Sequence, residues 1–555
     1  MDNTIQIYCK NTQKYRDFAP GSSLLDIYEA MNVNLPFTLA GAKVNNKTEA
    51  LHFRCYTSKD IEFYDISDPS GMRAYVRSLC FVLSKAVNDL FPGKTIYIEH
   101  PVSKGYYCEL AIGRATTKVD VDRLRTRMQE IIDQKLPFET RSGQTTEIVK
   151  LFRENQMEDK ARLLETSRRV YSTYNLLDNH IDHYYGALLP HTGYIHLFGL
   201  QQYHNGILLR VPNMQNPAEL QPFVKQEKMM RVFQDHVKLQ RVLGLGTVGD
   251  LNHAHESGSI PVLVKVAEAL QEKQIAKMAE EIAARYNEGV RVVLISGPSS
   301  SGKTTFCKRL QIQLMTSLIH PVAISLDDYY VDREVTPLDE SGEYDFESLY
   351  AIDLPLFNSD LKKILAGEEV KLPTFDFTIG KRVYRGNSIQ LKDHSVLVME
   401  GIHALNPKLI PEVNPASLYK IYVSALTTIS LDDHNWIPTT DNRLIRRIVR
   451  DYQFRKYSAK ETIARWASVR KGEDRWIFPF QEEADAMFNS AMLYELAALK
   501  RFADPILAEV SPRDPEFAEA YRLMKFLDYF TAIDVNELPN TSLLREFLGG
   551  SSFRY

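Results

Sequence analysis

The chain opens on an alternation of apolar and polar positions: "TIQIYC" (4–9) reads as a half-buried strand. "GSSLLDIYEAM" (21–31) reads as a turn and a short helix, with Ser22 or Ser23 as its N-cap. "IEFYDI" (61–66) reads as a further strand, so residues 1–65 predict a small β-grasp-like unit. The spacing then becomes helical in "GMRAYVRSLCFVLSKAVNDLF" and strand-like in "KTIYIEHPVSKGYYCELAI". This α+β pattern defines a second unit over 66–225. A polar, helical stretch at 226–285 reads as a linker, with one long helix over 261–286.

From Arg291 the pattern changes again. "RVVLIS" is a buried-strand run, and the helix after it carries Phe306, Leu310 and Leu314 on one face. "PVAISL" and "SVLVME" are further apolar runs, each followed by or ending in acid. Strands alternating with helices predict an α/β domain over 286–500 with a parallel sheet and ligands at the strands' C-terminal ends. Residues 501–555 read as a helical extension, in which Phe517, Tyr521, Met524 and Leu527 form a packing stripe. The expected architecture is therefore multidomain: β-grasp-like, α+β, and α/β with a parallel sheet.

Composition adds limits to that picture. At 555 residues the chain is too long for one core. A net charge of −4 implies no whole-chain attraction to nucleic acid or to an anionic membrane. The five cysteines are scattered without a Cys-x-x-Cys pair, which reads as reduced thiols in a cytoplasmic protein. The N-terminus has no basic-then-apolar signal pattern, and no apolar run is long enough to span a membrane.

The chemistry concentrates at "SGPSSSGKTTF" (296–306), a full match to G-x-x-x-x-G-K-[ST]. Gly297 and Gly302 let successive N–H groups, including those of Ser299, Ser301 and Thr305, turn toward phosphate oxygens. The helix that follows adds its N-terminal dipole. Lys303 supplies a point charge, and the Thr304 hydroxyl can ligate Mg²⁺. Downstream, "ISLDDYY" puts Asp327 and Asp328 just past a strand whose end is expected beside the loop; either acid can take a proton or help hold the metal. "VLVMEGIHAL" ends its strand in Glu400, a second acid for the metal shell. Residues 441–476 carry eleven Lys/Arg against five Asp/Glu. Arg443, Arg446, Arg447 and Arg450 fall within two helical turns there and read as a lid on the transferring phosphoryl group, with a nucleic-acid surface as the alternative.

Together, "GPSSSGKTT", "DDYY", "YDFESLYAID", "PTFDF", "VLVMEGIHAL" and "DNRLIRRIVRD" resemble, in order and spacing, the uridine kinases and related phosphoribulokinases over about 285–500. The resemblance implies an ATP- and Mg²⁺-dependent kinase acting on a hydroxyl, with Asp327 as general base and also near the metal. It makes Lys303 and Arg446 catalytic groups, and Arg443, Arg446 and Arg447 lid residues on phosphate. Tyr330 becomes a neighbour of the acceptor. Phe346 and Glu347 match the family's Phe-Asp pair, whose acid holds ribose hydroxyls. The run Phe375-Asp376-Phe377-Thr378-Ile379-Gly380 matches the acceptor side, but Gly380 stands where the family has a base-reading histidine. A nucleoside is expected, with uridine itself in question.

The first 205 residues resemble the N-terminal region of threonyl-tRNA synthetases. "LAGAKVNNKTEAL" is similar to the end of their TGS domain, and "SKGYYCEL" and "GALLPHTGYIHLFGL" to parts of their editing domain. That domain's two metal-competent residue pairs fall here on Arg77 and Phe81 and on Tyr184 and Leu188, which cannot bind zinc. His180 and His183 remain nearby, one helical turn apart; they read as polar surface or cleft residues, with a metal pair alongside Asp178 or Asp182 as the alternative. The implied role is regulatory or ligand-binding, with RNA or an amino acid as ligand. A nucleotide-switched tRNA-binding protein is the alternative; a GTPase lacks its guanine-reading motif after the loop. The sequence names neither the acceptor nor the oligomeric state.

Overall fold

The computed structural model describes residues 4–340 and 342–554. Ile5, Ile7 and Cys9 are the buried positions of strand Ile5–Cys9, as the alternation demands. This strand pairs antiparallel with Lys14–Phe18 and parallel with Lys59–Asp65. Leu39–Val44 and Lys47–Glu49 complete a five-stranded sheet. Ser23 caps the helix Leu24–Met31: its hydroxyl accepts from the Asp26 N–H, and Asp26 reaches back to the Ser23 N–H. Leu24, Ile27 and Met31 then face the sheet.

Asp68 caps the helix Pro69–Leu90, which is buried along most of its length. Beside it lies an antiparallel sheet in the order 199–203, 206–210, 105–110, 96–102. Arg77, Phe81, Tyr184 and Leu188 meet here as packing. Phe81 and Tyr184 have ring centroids 5.4 Å apart, and Leu188 joins the same cluster. Arg77 lies 5.1 Å over the Tyr185 ring and donates to the Ala187 carbonyl. His180 and His183 are not surface or cleft residues. Both are buried: His180 is bonded to the Ser84 hydroxyl at 2.8 Å, and His183 lies between Asp432 at 3.3 Å and Tyr529 at 3.2 Å.

The segment expected to bridge the two halves is part of a core. Leu263, Val264, Ile275, Ala279 and Ile282 of the helix Ile260–Tyr286 are buried in the cluster that also contains Phe306, Leu310 and Leu314. Its charges explain the polar reading; its apolar face packs on the helix after the glycine loop. No helix of the described residues is long and apolar enough to cross a membrane.

The C-terminal sheet consists of β1 (Val292–Ser296), β2 (His320–Ser325), β3 (Ser395–Glu400), β4 (Leu418–Ser424) and β5 (Ala486–Asn489). All neighbours are parallel, in the order β2-β3-β1-β4-β5. Continuous burial of β1 is what a central parallel strand requires. Helix α1 (Lys303–Thr316) follows β1, and α2 (Thr439–Arg455) and α3 (Ala459–Trp476) lie between β4 and β5 in the chain. α4 (Glu495–Ala508) and a helical turn, α5 (Arg545–Leu548), pack against α2.

A short hairpin, Ser430–Asp432 and Asn435–Trp436, leads from β4 into α2. Its tip is bound to the N-terminal half: the Ile98 N–H donates to the Asp433 carbonyl at 2.8 Å, and Trp436 packs on Tyr106 with centroids 4.4 Å apart. Beneath it, the Lys160 ammonium lies 3.1 Å from Asp159 and 3.4 Å from both Asp182 and Asp432.

Candidate active site

The sheet order corrects one expectation. β2 does not border β1; β3 lies between them. In register, Glu400 sits beside Ile295 of β1 on one side and Ser325 of β2 on the other. Glu400, rather than Asp327, is therefore the loop's immediate acidic neighbour. Its Oε1 is 3.4 Å from the Thr304 hydroxyl and 3.5 Å from that of Ser325. Asp327 follows β2 and faces the same space.

The loop between β1 and α1 holds positive φ at Ser300 (58°) and Gly302 (83°). At Gly302 any side chain would be strained and would strike Leu543. Gly297 packs against the Val423 carbonyl of β4. The Ser300 and Ser301 hydroxyls are buried without a hydrogen-bond partner among the described residues. Lys303 curls back to the Pro298 carbonyl at 3.1 Å.

The two aspartates have different tasks. Asp328 accepts the Phe375 N–H at 3.2 Å and so pins the strand Thr374–Asp376. Asp327 has no such bond. Burial pushes its carboxyl above the ordinary range, against the pull of Lys303, Arg455 and Arg450. Burial, and then the charge of Asp327, push Glu400 up to about 7. Glu347 is likewise raised to about 7 by burial, against the pull of Arg447. One Glu347 oxygen, Oε2, is buried with no hydrogen-bond partner among the described residues.

The arginine run divides. Arg443 and Arg446 lie on the buried side of α2, at 1% and 0% exposure. Arg443 makes two hydrogen bonds to one Glu473 oxygen and one to the other, at 2.6–2.9 Å. Arg446 pairs with both Glu495 oxygens at 2.9 and 2.6 Å, and its Nη1 reaches the Ser300 carbonyl at 3.4 Å. Neither is free to close on a phosphate; both brace the loop from behind. Arg447 does face the loop, donating to the Ser299 hydroxyl at 2.9 Å. Arg447, Arg450 and Arg455 share the single carboxylate of Asp451 at 3.3, 2.7 and 3.7 Å. That leaves surplus positive charge beside Ser299 and Asp327. The crowding, Arg450 foremost and then burial, lowers Arg455 to about 10.

Lys303, Thr304, Asp327, Glu347, Glu400 and Arg447 thus converge on one space, with Tyr330 at its edge. Tyr330, Phe375 and Phe377 form an edge-to-face ring wall with centroids 5.1–6.4 Å apart. Phe346 and Asp376 stand apart from it. Phe346 is 42% exposed against Tyr344, and Asp376 is engaged by Arg385 at 3.0 Å and the Thr378 N–H at 3.0 Å. Gly380 closes the 374–383 hairpin with φ +67°, where a Cβ would lie 2.8 Å from Arg333 Nε. Gly380→Ala is therefore expected to cost about 1–3 kcal/mol, read by urea denaturation. A histidine in its place would meet the same obstacle.

Sequence reasoning missed Arg455 and His403. Arg455 lies three helical turns beyond Arg443, outside the quoted motif. His403 is wholly buried, and neither ring nitrogen has a hydrogen-bond partner among the described residues. Burial lowers it to about 4, so its ring is neutral at pH 7 beside the backbone of Ser348 and Glu347. Its only sequence signal is a polar residue inside the apolar run "EGIHAL".

The donor set suits a hard cation. Thr304 and Glu400 supply oxygen ligands next to a phosphate loop, as Mg²⁺ requires when it keeps water and phosphate oxygens as its other ligands. Among the described residues no group of three or more His, Cys, Asp or Glu side chains could hold a metal by itself.

A parallel sheet with a phosphate loop after its central strand and an acid on the neighbouring strand end is the framework of a P-loop kinase. The family model "Phosphoribulokinase / Uridine kinase family" matches residues 292–496. The uridine kinase of Staphylococcus aureus strain JH9 is 31% identical over 196 residues, covering 35% of this chain and 84% of that protein. The chain belongs to the phosphoribulokinase/uridine kinase family. The solved structure of a possible uridine kinase from Bacillus stearothermophilus is similar at 20% identity with a TM-score of 0.25, over 36% of this chain and 89% of that one. Residues 1–291 lie outside the family match.

Proposed function

We propose that the protein transfers the γ-phosphoryl group of ATP to a hydroxyl of a nucleoside or another ribose-like polyol. The observation that carries this reading is the convergence of the loop lysine, a raised Asp327, and a Glu347 oxygen left without a partner. Lys303 balances charge on the phosphates. Asp327, freed of structural bonds, accepts the proton of the attacking hydroxyl; burial makes it a stronger base than an exposed aspartate. Glu347 Oε2 accepts from a second hydroxyl of the acceptor, and the neutral His403 backs that loop. Arg447, Arg450 and Arg455 stabilise the charge of the moving phosphoryl group. Thr304 and Glu400 would hold Mg²⁺, which would supply positive charge against the charge developing on the phosphates. The edge-to-face rings of Tyr330, Phe375 and Phe377 offer an apolar wall to a ring-bearing acceptor.

Residues 1–65 and 66–225 form, in this reading, a TGS-like and an editing-like module that bind a ligand or regulate the kinase unit at 286–500. With Arg77, Phe81, Tyr184 and Leu188 at those positions, the second module lacks the metal-competent pairs of the threonyl-tRNA synthetase editing domain.

An ATP-consumption assay over nucleosides, ribose derivatives and free amino acids tests the reading. Turnover with at least one hydroxyl acceptor is expected, lowered at least about 100-fold in Lys303→Ala. No turnover across the panel, with Lys303→Ala binding ATP as well as wild type, would sink it.

A further inference from the structure

The loop that would hold the donor already carries a carboxylate from its own chain. Glu546, on α5, accepts from the Thr305 N–H at 3.1 Å and from the Thr305 hydroxyl at 2.7 Å. Thr305 is the third residue of α1, so its N–H is among those that no helix carbonyl satisfies. In a phosphate loop these donors, with the helix dipole, make the anion site.

The segment around Glu546 is firmly seated. Leu543 packs against Gly302, and Leu543, Leu544 and Phe547 are fully buried. The Arg446 guanidinium lies 5.0 Å over the Phe547 ring while reaching the Ser300 carbonyl of the loop. Both of these bonds to Glu546 come from the loop's own donors, the Thr305 N–H and hydroxyl. Glu400 stands close enough for the charge of Glu546 to help raise it. A second carboxylate, Glu473, accepts the Ser299 N–H at 3.1 Å, but Arg443 and Arg470 neutralise that one.

A plain helix cap is the competing account. It explains the hydrogen bonds but not their place. The capped N–H belongs to a phosphate loop, and the cap comes from a residue 241 positions away.

We propose that Glu546 occupies the position of a donor phosphate in the nucleotide-free chain, making the C-terminal turn an autoinhibitory contact that a nucleoside triphosphate must displace. This rests on the kinase reading above. The anchors Leu543, Leu544 and Phe547 stay in place while the carboxylate swings aside. Apparent donor affinity is then reduced by the fraction of molecules in which Glu546 is in.

Calorimetric titration of full-length wild type, Glu546→Gln and Glu546→Ala with Mg–ATP, alongside a thermal melt of each nucleotide-free protein, tests this. Affinity is expected to rise about tenfold or more in Glu546→Ala, and by less in Glu546→Gln, which keeps an acceptor but loses the charge. The melting temperature of Glu546→Ala should fall, since a loop donor loses its partner. A merely structural cap predicts the same fall with affinity unchanged or weaker, and that result overturns the proposal. If Glu546→Ala does not fold, Glu546→Gln decides by the same criterion. Equal binding by all three proteins, abolished by Lys303→Ala, leaves the kinase and removes the gate. No binding by any of them removes the kinase reading and the gate with it.

Discussion

Asp327→Asn is expected to lower turnover by about 10²–10⁴-fold, to leave ATP affinity within a few-fold, and to raise thermal stability. The first effect follows from losing the base. The last follows from the cost of the charge. Burial raises Asp327, and Glu400 is held at about 7 against its usual 4.5. A carboxyl raised in the fold contributes stability in its protonated form. For Glu400 that contribution is full below about 4.5 and is lost as pH rises through about 7. The rate runs the other way: kcat/KM should climb with pH as the base deprotonates. Asp327 and Glu400 feel each other's charge, so the climb belongs to the pair. Asparagine keeps the shape, removes one charge, and should bring Glu400 back toward its ordinary range. Steady-state kinetics over pH 5–9 with a parallel thermal melt would check all three effects. A variant that loses turnover and also melts lower would assign Asp327 to the fold rather than to the chemistry.

The sequence makes the donor half of this site legible because a phosphate loop needs its residues contiguous. Gly297, Gly302, Lys303 and Thr304 are read from one stretch, and Glu400 from the end of one apolar strand. Assigning individual arginines fails for a physical reason. Arg443, Arg446, Arg447 and Arg450 share a helix, but which side is buried depends on Glu473 and Glu495, which come from elsewhere in the chain. A charge run gives the residue type and the spacing, not the partner. His403 and Arg455 are missed because nothing local marks them; their surroundings come from the 345–352 loop and from Asp327. The order of the strands is hidden for the same reason. β3 inserts between β2 and β1 although it starts 70 residues after β2 ends, at Ser395 against Ser325, roughly the span of two crossovers. The N-terminal sheet is legible where burial alternates, as in Ile5, Ile7 and Cys9. The buried network joining the halves is not, because His180, Asp182 and His183 look like any polar segment until Lys160 and Asp432 are placed beside them.

Lys160→Met is expected to destabilise the protein by about 3–5 kcal/mol. The ammonium is 1% exposed and lies 3.1–3.4 Å from three carboxylates. Removing it strands Asp182 and Asp432, both at 0% exposure, with negative charge and too little to balance it. Despite their burial, His434 and Lys160 hold Asp182 well below the ordinary carboxylate range, and Lys160 and His183 do the same for Asp432. A carboxylate held low contributes stability that is present above its ordinary range and is lost as pH falls. The variant should therefore lose most of its stability deficit in acid, where wild type loses the same support. Urea denaturation followed by tryptophan fluorescence is a suitable probe, since Trp436 on the hairpin packs against Tyr106. Adding Asp432→Asn to Lys160→Met should recover part of the loss by removing one stranded charge; a loss below about 1 kcal/mol, as for a surface pair, would show that the network carries no weight. The consequence for the site follows from connectivity. Asp432 lies on the hairpin that ends at Trp436, and α2, with Arg447, Arg450 and Arg455, begins at Thr439. Weaker ATP binding by folded Lys160→Met protein at low temperature would show that the N-terminal half sets the position of those arginines. Unchanged binding would show that the network only holds the halves together.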